Sequence, residues 1–126
     1  MKYLAIYRHK NSYPIATMCK FFNVSRSGYY DFAKRMDVTP TAIKINGAKT
    51  RWGSCSAKKS LNFSWRLIMA DDDVIDYVVV HELAHIAEMN HSARFWALVE
   101  GALPDYQSRK AKLKALQQRL SIEDWE

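Results

Sequence analysis

Val74-Ile75-Asp76-Tyr77-Val78-Val79-Val80-His81-Glu82-Leu83-Ala84-His85-Ile86-Ala87-Glu88 is the stretch that decides the fold. It follows Asp71-Asp72-Asp73, whose carboxylates suit the N-cap and the positive end of a helix. Consecutive β-branched valines favour a strand over Tyr77 to Val80 by local propensity alone. Against that stands the four-residue spacing of His81 and His85. On a helix it stacks both imidazoles on one face, about 6 Å apart along the axis, where they reach a single cation. The spacing therefore predicts a helix, and apolar residues on nearly every side of it predict a central, buried one.

His81-Glu82-Leu83-Ala84-His85 is the HExxH pattern of zinc sites. Glu82 is rotated about 100° from His81, so it is placed to address a water beside the metal rather than to ligate it. Two neutral histidines and a glutamate inside a buried helix are costly unless something such as a metal satisfies them. A catalytic zinc needs three protein ligands and an open position. His91 is the expected third, with Glu100 and then Asp105 as rivals. His91 reaches the metal only if the helix ends before it. Asn90, in the left-handed conformation, is the expected terminator, and Ser92 caps a new helix carrying Phe95, Trp96, Leu98 and Val99.

Upstream, Thr50-Arg51-Trp52-Gly53-Ser54-Cys55-Ser56 leads through the polar turn Ala57-Lys58-Lys59-Ser60 into an alternating run. There Leu61, Phe63, Trp65 and Leu67 point one way and Asn62, Ser64 and Arg66 the other, which predicts a β-hairpin with a half-buried strand over Leu61 to Ile68. Ile43 and Ile45 suggest a further short strand, giving a small antiparallel sheet. Trp52, Trp65 and Trp96 are expected in the core. Downstream of Pro104, residues 106 to 120 predict a terminal amphipathic helix packed through Leu113, Leu116 and Leu120. The fold class is α+β: a small zincin-like domain with an antiparallel hairpin, a buried HExxH helix and C-terminal helices, preceded by a short helical N-terminal segment.

The chain has 126 residues, 48% of them hydrophobic, which fits one small domain with an appendage. No apolar run approaches the roughly 20 residues of a membrane span, and no secretory signal is evident in MKYLAIYRHK, so a cytoplasmic location is expected. Cys19 and Cys55, without paired spacing, suit free thiols in a reducing compartment. The net charge of +6 is carried entirely by residues 1 to 36, which hold seven basic side chains against Asp31 alone. Residues 37 to 126 balance. The step divides the chain into segments 1–36 and 37–126. In the first, Ile15, Met18, Cys19 and Phe22 form a helical stripe, and a further helix after Ser25 runs through Tyr29, Tyr30 and Phe32. Together they predict a helix-turn-helix with Arg26 and Ser27 facing nucleic acid.

Two resemblances sharpen this reading. KYLAIYRHKNSYPIATMCKFFNVSRSGYYDF resembles the start of the second-frame product of a bacterial insertion-sequence transposase family, although no triad of spaced acidic residues follows and transposition is not expected. That leaves a fusion-derived tail packed on the next domain, or a segment in weak contact with nucleic acid. Downstream, the HExxHxxxxxH spacing matches metzincin peptidases, but Glu88 stands where those have glycine. TRWGSCS, LNFSWRLIMA, VIDYVVVHELAHIAEMNHSARFWALVE and LPDYQSRKAKL together resemble a YgjP-like metallopeptidase domain over residues 34 to 121. The resemblance implies Zn(2+) at His81, His85 and His91 with Glu82 catalytic, in a domain shortened at its N-terminus.

The expected activity is hydrolysis of a peptide or protein substrate, with Glu82 as general base and a water activated by zinc. Arg51, Arg94 and Tyr106 are candidates for stabilising the oxyanion, and the exposed edge of the Leu61 to Ile68 hairpin is a candidate for strand addition by the substrate. Two alternatives stay open: a nucleoside triphosphate pyrophosphatase on the same metal, and a non-catalytic fusion remnant with weak DNA binding. Nothing in the sequence specifies an oligomeric state.

Overall fold

The structure is a computed structural model that describes residues 31–48 and 51–120. The expected helix-turn-helix lies outside these residues except for its last turns, 31–36, which are helical. There Phe32 and Ala33 are buried in the same core as the HExxH helix. This short helix stops at Asp37, whose φ of 57° is left-handed, and Val38 N–H closes the end on the carbonyl of Ala33 at 3.1 Å. Aspartate is one of the few residues that visits this conformation at small cost.

Three strands follow: β1 (Ala42–Asn46), β2 (Gly53–Cys55) and β3 (Ser60–Ser64). β2 and β3 form the expected antiparallel hairpin, but β1 pairs parallel with β3, so the sheet is mixed, in the order β1-β3-β2. The register sets Ile43 and Cys55 beside Leu61, and Ile45 and Gly53 beside Phe63. Residues directly opposed across a sheet share a face, so one face is apolar and turns toward the core. Alternation in Ala42 to Ile45 fixed which side chains face inward but carries no information on strand direction.

The expected strand to Ile68 is also corrected. β3 ends at Ser64, and Trp65–Met69 is a 3-10 helix. Ser64 is the switch: its Oγ accepts from Arg66 N–H at 3.2 Å and donates to the carbonyl of Ala48 at 2.9 Å. Arg66 is buried rather than outward-facing, stacked on Trp65 and donating to the carbonyls of Gly47 (2.7 Å) and Ala48 (3.0 Å).

Three helices complete the domain: α1 (Asp72–Ala87), α2 (Ala93–Ala102) and α3 (Tyr106–Arg119). α1 is the central helix that its sequence predicts, with Val78, Val79 and Val80 all buried. Burial of each such side chain stabilises by roughly 1.5–3 kcal/mol, enough to override the modest helix penalty of β-branching. Asp71 occupies its N-cap but its side chain makes no capping bond, so the acidic run contributes through charge in the first turn. α3 packs Leu113 and Leu116 inward, while Leu120 lies past the helix end and is exposed, against expectation. Arg109 of α3 donates to the carbonyl of Asp73 at 2.9 Å and Lys112 meets the Asp73 carboxylate at 2.7 Å. Among the described residues no helix is long and apolar enough to cross a membrane.

Candidate metal centre

α1 carries His81, Glu82 and His85 on its buried length, and the chain must then reverse to deliver His91. It does so without the left-handed Asn90 expected from the sequence: among the described residues, those other than glycine with positive φ are Asp37 and Lys59. Instead Glu88 turns extended (φ −143°, ψ 103°) while its N–H still bonds the carbonyl of Ala84. The restart is as expected. Ser92 is the N-cap of α2, its Oγ accepting from Phe95 N–H at 3.3 Å.

The result brings His81, His85 and His91 together, with one ring nitrogen from each lying within 4.8 Å of the others. His81 Nε2 and His91 Nε2 are 3.3 Å apart. His85 Nδ1 lies 3.1 Å from the carbonyl oxygen of Glu88. A carbonyl only accepts, so that nitrogen carries the proton and His85 Nε2 presents a lone pair, the arrangement by which outer partners orient metal-binding imidazoles. His81 Nδ1 stands 3.4 Å from Tyr77 Oη, one helical turn back.

Phe95 holds the cluster from below. Its ring is fully buried and contacts all three imidazoles, with centroids 5.0, 4.5 and 4.8 Å from those of His81, His85 and His91. Trp96 stacks on His91 and Tyr106 stacks on Trp96. Lys110 places its ammonium 4.4 Å from the Trp96 ring centre.

Burial holds the His81 pKa well below the ordinary histidine value, helped by the neighbouring His85, His91 and Lys110. A depressed pKa keeps the imidazole neutral, which is the form that ligates metals. Glu82 is 2% exposed and packs against β2. Cys55, on the same strand face, has its thiol pKa raised, first by burial and then by the charge of Glu82.

The rivals lie elsewhere. Glu100 is exposed on α2 and outside the histidine group, and Asp105 pairs with Arg109 at 3.0 Å. Arg51 and Arg94 are exposed, whereas Tyr106 is tied to the site through Trp96. Trp52 and Trp65 are core residues, as expected. Of the two hairpin strands, β3 is flanked on both sides and β2 is the outer strand of the described sheet. Sequence reasoning missed Tyr77 and Lys110. The first was legible as the residue four before His81; the second read as one more lysine of a solvated helix.

A family model described as YgjP-like, metallopeptidase domain, matches residues 23–116. The solved structure of the metallopeptidase zymogen of Pyrococcus abyssi abylysin is similar, with 18% identity, a TM-score of 0.66, and coverage of 78% of this chain and 96% of that one. That of Methanocaldococcus jannaschii jannalysin, also a metallopeptidase zymogen, gives 21% identity, a TM-score of 0.61, and coverage of 75% and 95%. No curated protein sequence matches the chain.

Proposed function

The chain belongs to the YgjP-like metallopeptidase family, and on that premise we propose that it hydrolyses peptide bonds with one zinc ion held by His81, His85 and His91 and with Glu82 as general base. The observation that carries the reading is the spacing of the imidazole nitrogens. Tetrahedral zinc with Zn–N bonds of about 2.0–2.1 Å implies ligand nitrogens roughly 3.3–3.4 Å apart, and His81 and His91 present theirs at 3.3 Å. An all-imidazole set also suits zinc better than calcium or magnesium, which take oxygen ligands.

Bound zinc supplies Lewis acidity, polarising the scissile carbonyl and bringing the pKa of a water toward neutrality. Glu82 accepts the proton of the attacking water and passes it to the leaving amine. His85, oriented by the Glu88 carbonyl, keeps its tautomer fixed throughout. His91 is the exposed member of the set, so substrate enters on its side. An extended peptide lies along β2, the outer strand of the described sheet, which runs beside Glu82. A peptide complex with the substrate seated elsewhere removes that last element.

The test is to load the chain with zinc and assay it on casein and on uridine triphosphate side by side. Peptide hydrolysis lost about 10²- to 10⁴-fold in Glu82→Ala, with one metal still bound per chain, is the expected result. Turnover of the nucleotide alone, or turnover indifferent to Glu82→Ala, overturns the proposal.

A further inference from the structure

Gly53 opens strand β2, where glycine has no side chain to pack and costs backbone entropy. Its backbone does not call for glycine, since no described glycine has a positive φ. The register supplies a different reason. Gly53 sits opposite Phe63 on the sheet face that turns toward α1. A Cβ built there would stand 3.0 Å from Glu82 Cγ, 3.2 Å from Glu82 Oε2 and 3.2 Å from the carbonyl oxygen of Asn62. The space a side chain would take is therefore occupied by Glu82 from its methylene to its carboxylate. The Asn62 carbonyl is main chain of the central strand, so it has little freedom to retreat, and any displacement falls on Glu82.

We infer that Gly53 is a positioning residue for the Glu82 carboxylate: the bare α-carbon is the surface against which the general base is seated. This deepens the proposed hydrolytic role of Glu82 and rests on it. Catalytic groups must be held to within about 0.5 Å, and an error near 1 Å costs on the order of 100-fold, so a smaller shift costs correspondingly less. A methyl group at position 53 must shift its neighbours by a few tenths of an ångström, and two of its three nearest atoms belong to Glu82.

The experiment is a double-mutant cycle on the zinc-loaded chain using Gly53→Ala, Glu82→Ala and the pair. Gly53→Ala is expected to lower kcat by about three- to tenfold with KM and metal content unchanged. It is also expected to lower Tm by about 4 °C or more in the parent chain. In the Glu82→Ala background, where the Cγ and carboxylate are gone, the same substitution leaves Tm unchanged or raises it, because alanine restricts the unfolded chain. Should Gly53→Ala fail to fold by itself, recovery of folded protein in the pair carries the same meaning. An equal fall of Tm in both backgrounds assigns the clash to Asn62 and overturns the inference, as does an unchanged kcat in Gly53→Ala. Failure of the general-base reading has a separate signature: full turnover in Glu82→Ala, whatever the Tm cycle gives.

Discussion

α1 and α3 pack against one another yet hold their polar groups in opposite ways. α1 carries His81 and Glu82 at 1% and 2% exposure, among the buried side chains of Val78, Val79, Val80, Leu83 and Ala84. α3 buries Leu113, Leu116 and Gln117 and keeps its charges at the surface, where Arg109 and Lys112 reach across to Asp73 and Asp76. Buried ionisable groups cost stability unless something satisfies them, whereas surface pairs cost little and return little. A chain places such groups at its centre when chemistry requires it. α1 concentrates the buried ionisable groups, while α3 joins it through leucines and ion pairs.

The largest effect that can break this contrast lies under the histidines. Phe95 is the apolar floor of all three rings, so Phe95→Ala should cost about 3–5 kcal/mol and also weaken metal affinity, read by calorimetric zinc titration of whatever protein still folds. A loss of stability with unchanged metal affinity would separate the floor from the site. On the scaffold side, Leu113→Ala should cost about 2–5 kcal/mol in urea unfolding while kcat of the folded protein stays as it was. A parallel loss of kcat would make α3 part of the catalytic apparatus.

A third effect is a pH dependence. The His81 pKa is depressed in the folded state, so the unfolded chain binds a proton first as the solution is acidified. The stability of the metal-free protein is therefore full above the ordinary histidine value of about 6.5 and declines as pH falls through it. The urea midpoint of metal-free protein should drop between pH 8 and pH 5, and less steeply in His81→Phe; a flat profile in the parent would contradict the assignment. Lys112→Ala should have the smallest effect. Its partner Asp73, whose carboxyl the Lys112 hydrogen bond holds below the usual range, is solvated, so Tm should move less than for any other variant here. A larger shift than that of Leu113→Ala would make the charges, rather than the leucines, the main tie between α3 and α1.

How much of this the sequence carries depends on the range over which each signal acts. His81, Glu82 and His85 were legible because helical geometry turns a four-residue spacing into a shared face. The return of His91 was legible because Ser92 has a local reason to start a helix. The mechanism of the turn was not: Asn90 offered a left-handed terminator, and the chain used an extended Glu88 instead. The direction of β1 was hidden because alternation is the same read either way, and parallel pairing with β3 is set by the path between them. The end of β3 was hidden because Trp65 and Leu67 are buried in a 3-10 helix much as they would be in a strand. Only the burial of Arg66 betrays the switch, and its partners at Gly47 and Ala48 are far away in sequence. Gly53 has no evident role until the helix it faces is known.

The most direct test of the central claim is a zinc titration of the metal-free chain beside His81→Ala, His85→Ala and His91→Ala. The account predicts one tight site per parent chain and its loss in each single variant, with the fold kept as judged by circular dichroism. Undiminished binding in any of the three, or no zinc uptake by the parent at saturating metal, would contradict it.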